Sequence, residues 1–217
     1  ATSETTVVAP WRYSNLPYDA VKDFTPIARV ASFDFALTIG PSGPQRDIKH
    51  VLAWMKANPD KANFATSGAG TLGHFTGVLL AQTTGVNLTH IPYKGGAPAA
   101  QDLVAGMLPL MVDTASETLE HHKAGRVKIV AVTGQQRSSA LPDVPTLKEA
   151  GIDMTADGYF GLYGPAGMQP AVVQRIEQAV AEVLRAQDVR DKISALGLVP
   201  DYLGSSGLKG LQAEQLK

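Results

Sequence analysis

Between Asn63 and His74 the chain reads N-F-A-T-S-G-A-G-T-L-G-H, which sets Ser67, Thr71 and His74 among the glycines Gly68, Gly70 and Gly73. Two hydroxyls, an imidazole and a run of unhindered backbone N–H groups are the components of an anion site. Asn63 to Thr66 has the composition of a strand, and His74 to Thr84 that of a helix. The glycine run between them therefore opens a helix whose first N–H groups have no intrahelical acceptor. A second turn of this kind, Tyr93-Lys94-Gly95-Gly96, follows the next predicted strand. Asp113 ends another strand on the same predicted sheet edge, where open α/β sheets bind ligands. It is placed to accept an N–H or O–H from a ligand, and either it or Thr114 can cap the following helix. His74 either donates to the same anion or caps its own helix. Charge-assisted hydrogen bonds are worth roughly 1.5–3 kcal/mol each and a helix terminus about 0.3–1 kcal/mol, so a few such donors hold a small carboxylate without any arginine.

The elements that must position these residues alternate. Phe33 to Ile39 reads as a strand, G-P-S-G-P as a turn, and Asp47 as the N-cap of a helix with Ile48, Val51, Leu52 and Met55 on one face. Gly85 is a C-cap, V-N-L-T-H-I-P-Y a strand, and Gly106 closes a helix bearing Leu103 and Val104. Leu108 to Val112 and Val127 to Thr133 are further strands, the latter apolar enough to be buried in a parallel sheet. Thr146 to Glu149 spells a capping box for a short helix ending at Gly151. This pattern predicts parallel βαβ units. Residues 1–32 read as an irregular, proline-punctuated connection. From Asp157 the pattern changes to an extended glycine- and aromatic-rich segment, a one-sided helix from Pro170, a second helix capped by Asp188, and a last strand at Leu198 to Tyr202. A truncated helix opening ends the chain.

Several function classes drop out. A net charge of −1 with scattered basic residues gives no footprint for nucleic acid, and no apolar run is long enough to span a bilayer. The chain has no cysteine. His121 and His122 are adjacent, so on a helix they diverge as surface residues without clustered co-ligands; no metal or cofactor is expected. Gly68, Gly70 and Gly73 satisfy G-x-G-x-x-G, but a dinucleotide site also requires an acid about twenty residues on. No Asp or Glu stands between Asp60 and Asp102. An NADP-dependent reductase that uses Lys94 for a 2′-phosphate survives as an alternative. A P-loop does not, because His74-Phe75 replaces Lys-Ser/Thr. Ser67 lies outside any nucleophile elbow, and no enzyme is indicated. A glycine turn that merely packs a helix on a strand is the other alternative. The neighbouring hydroxyls and the second turn favour a ligand.

Six blocks in order, L-P-Y-D-A-V-K-D-F-T-P-I (16–27), N-F-A-T-S-G-A-G-T-L-G-H (63–74), H-I-P-Y-K-G-G-A-P-A (90–99), I-V-A-V-T-G (129–134), L-P-D-V-P-T-L-K-E-A-G (141–151) and Y-F-G-L-Y-G-P-A-G (159–167), resemble the tripartite tricarboxylate transporter receptors, the TctC or Bug extracytoplasmic solute receptors. The resemblance implies a type II-like periplasmic binding protein in which two α/β lobes, joined by crossing strands, close on a small organic carboxylate and deliver it to membrane permease subunits. It implies one lobe over 33–160, a second from 1–32 and 161–217, and crossings near 29–35 and 157–164. Ser67, Gly70, Thr71 and His74 match a ligand-gripping loop, Tyr93, Asp113 and Phe160 would face the cleft, and Thr2 and Ser3 resemble the end of a strand from the other lobe. The family's first strand and its proline-glycine loop have no counterpart before Ala1, and the closing helix is short. The second lobe is thus expected to be incomplete: either the sequence is a piece of a longer receptor, or it is a degenerate form that binds no ligand.

Overall fold

The computed structural model describes residues 1–44 and 46–216. The chain divides into two compact units, Phe33–Asp157 and a discontinuous one made of Ala1–Ser32 with Gly158–Lys217.

In the discontinuous unit, a wide helical turn at Glu4–Val8 runs into a short helix, α1 (Ala9–Arg12). Residues 13–23 form the irregular connection that the sequence indicates, whereas residues 4–12 before them are helical and those from Phe24 are a strand. The first strand, β1, begins at Phe24 and continues unbroken to Ile39, nine residues earlier than its apolar core at Phe33 indicates. Pro26 sits near the start of this strand, where its missing N–H is tolerated.

The Phe33–Asp157 unit takes the second half of β1, then α2 (Ile48–Ala57), β2 (Asn63–Thr66), α3 (Leu72–Thr84), β3 (Thr89–Pro92), α4 (Gly96–Val104), β4 (Leu110–Thr114), α5 (Ala115–Lys123) and β5 (Lys128–Val132). Local signals act as anticipated at Asp47 and Gly85, while Thr71, read in the sequence as a ligand hydroxyl, is the N-cap of α3. Asp47 accepts the His50 N–H at 3.0 Å to cap α2, and Gly85 closes α3 with φ +65°. The strands lie in the order β3-β2-β4-β1-β5. β2 is parallel to both β3 and β4, as alternating strands and helices require. β1, however, is antiparallel to β4 and β5. The sheet is mixed, and the all-parallel expectation, including that for Val127 to Thr133, is corrected. A run buried on both faces has the same apolar sequence in either direction, so composition could not give strand polarity.

Two further readings change. The Thr146–Glu149 box forms, with the Thr146 N–H on Glu149 Oε2 at 2.8 Å and the Glu149 N–H on Thr146 Oγ1 at 3.1 Å, but it closes a single turn and not a helix. His121 and His122 are half-buried, and His122 Nδ1 accepts the Ile129 N–H at 3.2 Å, so they are not simple surface residues. Apolar packing is dense under α5, where Ala36, Leu119, Ile129 and Val132 meet, and under α4, where Ala65, Ala99, Leu103 and Met111 meet.

Thr133, wholly buried, joins β1 to the segment that leads out of this unit. Its hydroxyl accepts the Phe35 N–H at 2.9 Å and donates to the Ala156 carbonyl. Its own N–H donates to Phe35 O at 3.0 Å, and its carbonyl accepts the Ala156 N–H at 3.0 Å. Beside it, the Asp34 carboxyl lies so close to Gly134 that any side chain there would collide with it. Burial, and then the charge of Asp157, push the Asp34 carboxyl up to about 6. A carboxyl raised above its unfolded value of 3.8 contributes stability that is complete below pH 3.8 and lost as pH rises through about 6. At about 1.4 kcal/mol per pH unit, halved for partial solvent exposure, Asp34→Asn is expected to stabilise by about 1–2 kcal/mol at pH 7.5. The gain should vanish below pH 4. Denaturant unfolding across that range checks it, and a gain independent of pH would contradict it.

In the discontinuous unit β1 pairs with β6 (Asp157–Pro165) and runs antiparallel to β7 (Val199–Gly204), with Ala28 opposite Gly204. Arg29 and Asp201 form an ion pair across β1 and β7 at 2.8 Å. The remaining elements are α6 (Pro170–Val183), α7 (Gln187–Ala195) and α8 (Ser205–Gln215). Asp188 falls in the first turn of α7 instead of capping it; Ala186 holds the cap position. Gln212 of α8, buried, donates to the carbonyls of Thr6 and Ala20 at 3.3 and 2.9 Å.

Candidate functional site

The glycine loop is held chiefly by its own bonds. Thr71 Oγ1 donates to Gly68 O at 2.9 Å and accepts the His74 N–H at 3.3 Å, which fixes the entry to α3. Gly70, at φ +72°, donates its N–H to His74 Nδ1 at 3.0 Å. That acceptor role puts the proton of a neutral His74 on Nε2. Ser67 donates its N–H to Asp113 Oδ2 at 2.6 Å, and Thr114 donates to Asp113 Oδ1 at 2.9 Å. Two of the expected ligand donors, the Ser67 and Gly70 N–H groups, are therefore engaged within the protein, as is the Thr71 hydroxyl. The acid that a dinucleotide site needs is missing, with no Asp or Glu between Asp60 and Asp102, and nothing in the loop favours the dinucleotide reading.

Asp113 is buried, and burial raises its carboxyl above the usual range against the lowering effect of its hydrogen bonds. It neither caps α5, whose cap position is Thr114, nor stands unbound; it ties the end of β4 to the glycine loop. What stays available lies one turn further on. Among the described residues, the Leu72 and Gly73 N–H groups at the start of α3 have no acceptor. Two glycines let α3 come this close to the sheet. A Cβ at Gly73 would lie 2.8 Å from Val112 O, and one at Gly77 would overlap the Phe64 ring.

The second turn is linked to the first. Tyr93 N–H donates to Thr66 O at 3.0 Å and Gly95 N–H to Ser67 O at 2.8 Å, so the Gly95 donor too is spent internally. The Tyr93 hydroxyl donates to Asp102 at 2.7 Å, and its ring packs on the cluster under α4. Burial, then that bond, push the phenol up to about 12.

Behind the loop, His90 of β3 stacks on His74 with ring centres 3.9 Å apart and planes at 18°. Phe64 lies 5.0 Å from the His90 ring, and Thr66 Oγ1 is 2.7 Å from His90 Nε2. Sequence reasoning passed over His90 and Thr66; their period-two positions on adjacent strands were the available signal. Burial, and then His74, push His90 down to about 4. The depressed value means that its neutral form supports the fold above pH 6.5 and that this support is lost as pH falls toward 4. A proton-detected NMR titration is expected to show His90 neutral throughout pH 5–8; a midpoint above 6 would contradict the stacked arrangement.

Ser67, Gly70, Thr71, His74 and Asp113 thus come together in the Phe33–Asp157 unit, with Tyr93 adjacent through its backbone. Ser3 and Phe160 belong to the other unit. Ser3 is buried and its Oγ accepts the Tyr159 N–H at 3.2 Å, and Thr2 makes an antiparallel bridge to Phe160. Ser3 leads into a helical turn, not the end of a strand. Phe160 is 36% exposed.

A family model described as the tripartite tricarboxylate transporter family receptor, TctC, matches residues 1–217. The chain belongs to this family. A protein from the tcbD-tcbE intergenic region of Pseudomonas sp. strain P51 is 34% identical over 88% of the chain, and Protein BugT of Bordetella pertussis is 26% identical over 94%. These matches cover 58% and 63% of the relatives' lengths, so the chain spans about three-fifths of them. Among solved structures, the periplasmic binding protein BugD superposes with a TM-score of 0.85 at 30% identity, over 99% of this chain and 73% of that one. The Rhodopseudomonas palustris protein Rpa4515 with adipate gives 0.91 at 25% identity, over 100% and 73%. MatC of the same organism with bound malate gives 0.84 at 27%, over 100% and 75%. The fold is that of periplasmic binding proteins, a mixed sheet layered with helices. Among the described residues no helix is long and apolar enough to cross a membrane.

Proposed function

We propose that this chain captures a small organic carboxylate in the periplasm for the permease subunits of a tripartite tricarboxylate-type transporter, as a receptor and not an enzyme. The observation that carries the reading is the first turn of α3. Its loop is pinned by Asp113, Thr71 and His74, while the Leu72 and Gly73 N–H groups keep no acceptor among the described residues. Preorganised donors at a helix N-terminus bind an anion without first being rearranged. Relatives with adipate and malate bound support a carboxylate as that anion. Ser67, Gly70, Thr71, His74 and Asp113 form the binding loop and its supports, with Tyr93 beside them.

Leu72→Pro gives a sharp test. Leu72 is the first residue of α3, where proline is tolerated, and Thr71 before it is already extended at φ −79° and ψ 164°. The substitution deletes one free N–H and leaves the helix intact. Calorimetric titration with a panel of C4–C6 mono- and dicarboxylates is expected to give affinity near micromolar, about 8 kcal/mol, for the best of them, and a loss of roughly tenfold or more in the variant at unchanged melting temperature. No binding of any carboxylate by the native protein, or unchanged affinity in the variant, would refute the site.

A further inference from the structure

The α4 turn holds a carboxyl group of the protein itself. Gly95 takes φ +111° to enter α4, and Gly96 is buried at its first position. A Cβ on Gly96 would collide with Glu117, lying 2.5 Å from its Oε2 and 2.7 Å from its Cγ. Glycine at 96 is thus what makes room for the Glu117 carboxyl against the start of the helix. Glu117 stands four residues after Asp113, in the first turn of α5, and Gly95 N–H bonds to Ser67 O at 2.8 Å. Both glycine turns, Asp113 and Glu117 therefore form one connected cluster within the Phe33–Asp157 unit. Among the described residues the charged group acting on Glu117 is Asp113; burial first, and Asp113 second, raise the Glu117 carboxyl above its ordinary range. From α4 the facing residue is Gly96, which has no side chain.

A carboxylate ligand anchored at α3 finds the neighbouring helix start already filled by an acid of the protein. We propose that Glu117 sets ligand selectivity at this site: it turns away a second carboxylate near the α4 turn and favours a ligand whose far end is a hydrogen-bond donor. The inference rests on the carboxylate-receptor reading. Like charges a few ångströms apart in a partly desolvated site repel strongly, and a carboxyl oxygen accepts readily from a hydroxyl or an amine. The class of ligand is then a monocarboxylate with a distal donor, in preference to a diacid of the same length.

Adipate and 6-hydroxyhexanoate differ in that distal group alone. Calorimetric titration of both into the native protein, Glu117→Gln and Gly96→Ala at pH 7.5 tests the assignment. The alanine methyl group displaces the carboxyl without removing it, so a folding defect in one variant leaves the other informative. The native protein is expected to prefer 6-hydroxyhexanoate, and the adipate-to-hydroxyhexanoate affinity ratio should rise about tenfold in both variants. A ratio that stays within about twofold of the native one while both ligands bind overturns the role of Glu117 and leaves the receptor reading standing. Failure of the native protein to bind either acid, or any other carboxylate, removes the receptor reading and this inference together.

Discussion

Asp113→Ala is expected to destabilise the protein by about 2–3 kcal/mol, through two backbone donors that lose a charged acceptor. Asp113 Oδ2 takes the Ser67 N–H at 2.6 Å and Oδ1 takes that of Thr114 at 2.9 Å. Each bond to a charged group is worth about 1.5–3 kcal/mol, reduced here because Ser67 and Thr114 are only half-buried and water can replace part of the loss. Against this, removal of a buried carboxyl recovers its desolvation cost, which is why the estimate stays at the value of one strong bond and not two. The effect should be uneven. Hydrogen exchange at Ser67, Gly68 and Gly70 is expected to accelerate while α2 and β5 stay protected, because Asp113 anchors the loop and not the sheet. Carboxylate affinity should fall with it as the start of α3 loses its fixed geometry. A stability loss under about 0.5 kcal/mol with unchanged exchange at Ser67 would show that the loop is held by other means.

Thr133→Val is the second large effect, about 2–3 kcal/mol, and it acts through the Phe35 backbone and not through the glycine loop's own bonds. Valine keeps the shape of threonine and removes the hydroxyl, so the Phe35 N–H loses its acceptor and the Ala156 carbonyl one donor in a place where Thr133 is wholly buried. Water cannot replace the acceptor that the buried Phe35 N–H loses, so that group carries the full cost of an unsatisfied donor, while the half-buried Ala156 carbonyl recovers part of its loss. The backbone bonds that Thr133 makes to Phe35 and Ala156 remain, so the expected outcome is a lowered denaturant midpoint with an unchanged slope. Thr133→Ser restores the hydroxyl and should recover about half of the loss or more. If the valine variant is as stable as the native protein, the hydroxyl bridge contributes nothing at this position.

The local framework was legible because its signals lie within a few residues of the groups they act on. Asp47 three residues before His50 and Gly85 after α3 fix helix ends by short-range hydrogen bonds and backbone freedom, and the strand, glycine turn and helix at 63–84 are local in the same way. The ordered blocks that resemble the TctC receptors carried the family for the same reason: they are contiguous stretches. The direction of β1 was not legible, since an apolar run is silent about polarity, nor was its early start at Phe24, which depends on pairing with β7 about 170 residues away.

The sequence by itself determined that a strand, a glycine turn and a helix follow one another at 63–84, and which residue types surround the turn. Only the tertiary structure decided which of those groups are free. Ser67 meets Asp113 across 46 residues, His74 stacks on His90 from another strand, Tyr93 turns to Asp102, and Glu117 occupies the space that Gly96 leaves open. Hydrogen-bond capacity is a property of residue type, but its use depends on partners that the chain brings together from far apart. The glycine loop therefore offers fewer donors than its composition promises, and those that stay available at the start of α3, at Leu72 and Gly73, are backbone groups whose availability no side chain advertises.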